Sequence, residues 1–186
     1  MTRLQTAFDA IDRANAHDPT HSDGQPDALL YGQRMTAEQE MLYPEASDAL
    51  RIACRGQHIE RWTLPRADFP MDRAGYLAWR TEQGRRHAQR IAQIMQDAGY
   101  PEDQIAHTRQ MLTKQGIKRD AEVQALEDTA CFTFIRWYLG PFAEGRDPDE
   151  LRRIVDKTAR KMSAMARARA LTEFQIPAPF VDAFHN

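Results

Sequence analysis

Residues 73–98 read RAGYLAWRTEQGRRHAQRIAQIMQDA, and this stretch decides the fold. Tyr76, Leu77, Arg80, Gly84, His87, Ala88, Ile91 and Met95 recur at spacings of three and four, the period of an α-helix face. Asp72 precedes the run as an N-cap and Gly99 follows it as a stop. The spacing predicts a helix over about 73–98, the longest in the chain. Working outward, Leu4, Phe8, Ile11 and Ala14 form one stripe within residues 2–16. HDPTHSDGQPD (residues 17–27) is a polar loop with two prolines and a glycine. A helix follows over about 29–42. Pro44 opens another that runs through ASDALRIACRGQHIERW, residues 46–62, and TLPRADFPMDRAGY (63–76) begins as an irregular loop. Downstream, Pro101 opens a helix with Ile105, Met111 and Leu112. Residues 120–138 align Val123, Leu126, Ala130, Phe134 and Trp137, and a last long helix spans about 148–171. Cys131–Ile135 alone resembles a strand, and a lone strand has no partner. The expectation is an all-α, single-domain helical bundle of about seven helices over residues 1–186.

Composition narrows the class. The 186 residues are 42% hydrophobic, enough for a sizeable core, and carry a net charge of −2 from 25 Lys+Arg against 27 Asp+Glu. No global field calls for a polyanion or an anionic bilayer. No stretch approaches the ~20 apolar residues of a membrane span, and the charged first residues offer no signal core. Cys54 and Cys131 lie far apart without a CxxC pattern. A cytoplasmic location is expected.

Three polar positions interrupt apolar stripes. His58 follows Cys54 by four residues and precedes Trp62 by four; His87 stands between Gly84 and Ile91; Asp128, beside Glu127, aligns with Phe132 and Ile135. A carboxylate buried there needs a partner, a hydrogen bond or a metal. Two imidazoles and one or two carboxylates make a ligand set for a divalent metal (Fe, Mn or Zn), built between helices. The plainer alternative makes each His a hydrogen-bonding packing residue and pairs Asp128 with an arginine. Arg55, Arg61, Arg66, Arg80, Arg85 and Arg86 flank the histidines, and guanidinium forks suit phosphate or carboxylate. The final helix carries Arg152, Arg153, Lys157, Arg160, Lys161, Arg167 and Arg169 against Asp156. Nothing interleaved with it reads bases, so nucleic-acid binding there is expected to be weak. GxGxxG, GxxxxGK[ST], GxSxG and HExxH are all absent.

The runs LLYGQRM, ASDALRIACRGQHIERW, LPRADFPMDRAGYLAWR, RRHAQRIAQIMQDAGY and QALEDTACFTF together resemble the DUF4202 family, over about residues 5–170. That family name implies no particular activity. The order of helices also resembles the HD superfamily of metal-dependent phosphohydrolases, whose pattern is His, His-Asp, His, Asp. This second resemblance puts His58, His87 and Asp128 at ligand positions, although Ile59 stands where the paired Asp belongs and Arg34 and Met35 where a first His is expected. It implies an HD-like hydrolase of a phosphorylated metabolite or nucleotide, in which the metal activates water, or dioxygen if it is iron. Glu127 and Arg61 would then serve catalysis, while Arg55, Arg61, Arg80, Trp62 and Trp79 hold a small anionic substrate. The alternative is a non-catalytic helical module that holds a nucleotide, RNA or a protein through its arginine pocket.

Overall fold

A computed structural model describes residues 1–185; Asn186, the last residue of the expected domain, lies outside the described residues. The structure is helical throughout apart from one two-residue hairpin. In order come α1 (Arg3–Asn15), β1 (His21–Ser22), β2 (Gln25–Pro26), α2 (Asp27–Leu42), α3 (Asp48–Gly56), α4 (Arg73–Asp97), α5 (Glu102–Leu112), α6 (Ala121–Thr133), α7 (Leu139–Ala143), α8 (Pro148–Lys161), α9 (Ala164–Glu173) and α10 (Ala178–His185). The antiparallel hairpin pairs His21 with Pro26 and Ser22 with Gln25. Its turn, Asp23 and Gly24, takes positive φ at both residues, the geometry that matches strand twist.

The longest helix falls where the sequence puts it. Asp72 caps α4 by accepting the Gly75 N–H at 2.7 Å. Gly75 is required there, because a Cβ would stand 2.0 Å from the Pro70 carbonyl oxygen. Cys131–Ile135 is helical, with α6 continuing through a π-turn at Phe134–Tyr138.

The described residues hold ten α-helices rather than about seven, and two of the departures have visible causes. The expected helix 148–171 breaks because Ser163 gives its N–H to Asp128 Oδ1 (2.7 Å) and accepts the Ala166 N–H on its own hydroxyl. A continuous helix would have sent that N–H to a carbonyl one turn back. The expected helix after Pro44 starts later, at the Ser47 cap, and ends at Gly56. Beyond it the chain turns, with Glu60 in the left-handed region at φ 49°. His58 therefore lies in a turn, not on a helix face.

Two apolar clusters hold the elements together. Ile11, Ile52, Ile91, Met95, Met111 and Leu126 anchor the first, formed by α1 and α3–α6 with Met35 of α2. Phe132, Val155, Met162 and Phe184 anchor the second, among α6 and α8–α10. Thus α6 serves both. At the α2–α3 crossing Gly32 stands so close to α3 that a Cβ would meet the Arg55 carbonyl oxygen at 2.7 Å. That approach brings Tyr31 beside the turn that follows α3.

Candidate functional site

Residues 57–64, the turn after α3, are fixed by four side chains from three helices. Buried Asn15, at the end of α1, accepts the Glu60 N–H on its Oδ1 (3.0 Å) and donates to the Ala28 carbonyl. Gln83 of α4, also buried, donates to the carbonyls of Arg61 (2.9 Å) and Leu64 (3.0 Å). Trp79 Nε1 donates to the Leu64 carbonyl as well. Tyr31 donates its hydroxyl to Gln57 Oε1 and lies flat against His58, ring centroids 3.8 Å apart. Irregular backbone satisfied this fully holds its side chains in defined directions.

What the turn presents is His58 and Arg61, and both face two adjoining cavities. One, of about 630 Å³, is walled by Tyr31, Trp62, Trp79, Phe134 and Tyr138. The other, of about 470 Å³, has Arg61, Arg80, Arg85, Lys114 and both histidines in its wall, with no Asp or Glu among the described lining residues. Arg61 is half-buried, lies 4.6 Å over the Trp79 ring, and has no carboxylate or hydrogen-bond acceptor among the described residues. Burial, and secondarily Arg80, lowers its pKa. A desolvated cation without a counterion leaves a positive field in the cavity.

The histidines register that field. Burial, then Arg61, brings His87 down to about 3, and burial with Arg61, His87, Lys114 and Arg80 holds His58 well below its ordinary value. Their rings stand 6.2 Å apart between centroids. His87 Nε2 is buried without a hydrogen-bond partner.

Among the expected metal ligands, the structure brings His58 and His87 together and sends Asp128 elsewhere. Asp128 is fully buried and wholly engaged: Oδ2 accepts from the Tyr43 hydroxyl (2.6 Å), Oδ1 from Gln124 Nε2 and the Ser163 N–H. Among the described residues no three His, Cys, Asp or Glu side chains gather closely enough to hold a metal ion. Three cationic side chains also act on the histidines, a field that repels a further cation. The residues present do not fit a divalent metal.

The other expected site residues divide. Arg61, Arg80, Trp62 and Trp79 line the cavities. Arg55 does not: it forms a bidentate pair with Asp12 (2.8 and 2.6 Å) that ties α3 to α1. Glu127 is buried behind the cationic cavity, bonded to Lys114 Nζ and 3.7 Å from Lys161 Nζ. Burial acts to raise its carboxyl pKa, yet the two ammoniums outweigh it and leave the group below its ordinary value. It orients Lys114. On the basic face, Arg152 and Arg167 donate to carbonyls, Arg169 to a carbonyl and to Glu173, and Lys161 lies near Glu127, whereas Arg153, Lys157 and Arg160 of α8 have no partner among the described residues.

Sequence reasoning missed Asn15, Tyr31, Gln83 and Lys114. Gln83 had a usable signal, an amide one turn before His87 on the same face of α4. Lys114 had none, since it enters the cavity only because the chain turns after α5 with positive φ at Lys114 and Gly116.

The fold and cavities define a helical protein with a cavity lined by cationic side chains against an aromatic one. The chain belongs to the DUF4202 family, a domain of unknown function, which it matches over residues 5–182. No curated protein and no solved structure matches it. No described helix is long and apolar enough to cross a membrane.

Proposed function

We propose that this protein binds a phosphorylated small molecule, its phosphate oxygens held in the cationic cavity by Arg61, Arg80 and Lys114. The observation that carries this reading is Arg61, a half-buried guanidinium that lines the cationic cavity and has no carboxylate partner among the described residues. An anionic ligand would supply the missing counterion, and a guanidinium meets two phosphate oxygens at once. Titration calorimetry with inorganic pyrophosphate tests it. Wild type should bind, and Arg61→Ala should weaken binding about 10- to 100-fold, the worth of a charge-assisted hydrogen bond. Arg55→Ala should bind as wild type does. Equal binding by Arg61→Ala and wild type would sink the reading.

Hydrolysis of that ligand is a second reading, supported by His87. Neutral, with Nε2 unpartnered, it could take a proton from a water attacking phosphorus while the bond to the leaving oxygen breaks and solvent protonates that oxygen. The negative charge of a bound phosphate would raise the basicity of this imidazole. Phosphate release that disappears in His87→Asn, with binding retained, would support this reading. Ligand that stays intact with wild type would leave a binding protein. The HD-like proposal keeps its phosphorylated substrate here but takes no step through a metal, because Asp128 is committed elsewhere.

A further inference from the structure

The aromatic cavity contains a second unsatisfied charge, of the opposite sign. Asp27, the first residue of α2, lines it, and neither carboxylate oxygen has a hydrogen-bond partner among the described residues. Oδ1 is buried besides. The neighbouring Asp18 makes the contrast: its oxygens accept the Thr20 and Ala28 N–H groups at 3.0 Å each. Two of the three guanidiniums that share the cavity are also occupied, and the third, Arg61, makes no pair with Asp27. Arg34 pairs with Asp23 at 2.5 Å, and Arg66 donates to the carbonyls of Phe69 and Pro70. Asp27 thus stands as a bare acceptor beside the aromatic rings, and an acceptor left unmade in such a place is costly unless a ligand completes it.

From this cavity we infer that the ligand is a guanine nucleotide, its base between the aromatic walls with N–H groups on Asp27 and its phosphates in the cationic cavity. Three features argue for one molecule spanning both. The cavities meet at His58 and Arg61, which line each. The aromatic cavity, about 630 Å³, lies within the roughly 300–1,000 Å³ of small-molecule sites and has the flat walls on which a base stacks. The carboxylate selects among bases, since guanine alone of the common four offers two adjacent donors, N1–H and the 2-amino group, to one carboxylate, whereas adenine presents an acceptor at N1. The inference rests on the phosphate-binding reading and adds the base.

The test is titration of the full chain with pyrophosphate, GMP, AMP and XMP. GMP should bind about 10- to 100-fold more tightly than AMP, as expected for hydrogen bonds to a charged group. In Asp27→Asn the preference for GMP should vanish while that for XMP rises, because the amide donates to the 2-oxo group that replaces the amine. Pyrophosphate affinity should not change. Gain of XMP affinity cannot come from misfolding. Pyrophosphate binding with GMP no tighter than AMP would overturn the base assignment and leave the phosphate site standing. A GMP preference untouched by Asp27→Asn would overturn it too. Failure of every phosphate compound, pyrophosphate included, would overturn both.

Discussion

Two regions of this molecule hold polar groups away from water, and they treat them oppositely. At the junction of α6, α8 and α9, Asp128 receives hydrogen bonds from Tyr43, Gln124 and Ser163, and both its oxygens are used. Around the turn after α3, Arg61, His87 Nε2 and Asp27 Oδ1 have no partners among the described residues. A folded chain retains uncompensated charge only where something else makes the loss good. The first region is therefore architecture, and the second is the one the proposed function assigns to a ligand. The arginines repeat the lesson, with Arg55 bridged to Asp12 and Arg61 facing a cavity.

Asp128→Ala strikes the satisfied region and should have the largest effect. It strands the Tyr43 hydroxyl and the Ser163 N–H, and should lower stability in urea unfolding by about 2–4 kcal/mol. Ligand affinity of the folded fraction should stay at the wild-type level. A variant of unchanged stability would mean that the junction does not depend on this carboxylate.

Arg61→Met tests the other side with the opposite signature. Removing an unpaired, half-buried charge should leave stability equal to or above wild type, while pyrophosphate affinity falls by about 1.5–3 kcal/mol. Loss of stability comparable to that of Asp128→Ala would erase the distinction between the regions.

The histidines give a pH effect of smaller size per step. His87 ionises at about 3 when folded and near 6.5 when unfolded, so between those values the unfolded chain binds the extra proton. Stability should accordingly fall as pH drops below 6.5, by up to about 1.4 kcal/mol per pH unit for each buried histidine, and level off below about 3. Glu127, whose folded pKa is depressed, adds a loss only as pH falls through the carboxylate range. Denaturation midpoints against pH should have a shallower slope in His87→Asn. An identical slope would show that this imidazole is not kept neutral by folding.

The mildest effect should come from the basic face of α8. Arg153, Lys157 and Arg160 lie outside both contrasted regions, and RNA binding through them should weaken by about 0.7–0.9 in the log–log salt slope per phosphate contact. Charge reversal to Glu at all three should abolish it and leave pyrophosphate binding intact. Affinity that survives high salt would require a contact that this face does not offer.

Much of the fold was legible because it depends on local periodicity. The helix 73–98 and its Asp72 cap were readable within a few turns of chain, as were the apolar stripes of α1 and α6. The break at Ser163 was not readable, because the acceptor that draws off its N–H belongs to a residue 35 positions earlier. The candidate site split in the same way. Four of the five substrate-binding candidates line the cavities, since arginine and tryptophan beside an interrupted stripe already mark a polar opening in a core. Asp128 looked as eligible as the histidines, because a buried carboxylate gives one sequence signal whether it meets a metal or a tyrosine.

By itself, then, the sequence determined an all-helical chain, the register of its long helix, and a concentration of histidine, arginine and tryptophan between residues 55 and 87. The tertiary structure decided which of those groups meet. It alone left Arg61 without an acceptor among the described residues and tied Arg55 to α1, drew Asp128 into a junction, and carried Lys114 and Asp27 into cavities that they share with His58 and Arg61. Helix formation follows from interactions a few residues apart. The pairing of a buried charge is settled only when distant helices pack, because whichever partner lies within hydrogen-bond reach in the folded state fixes that charge's role.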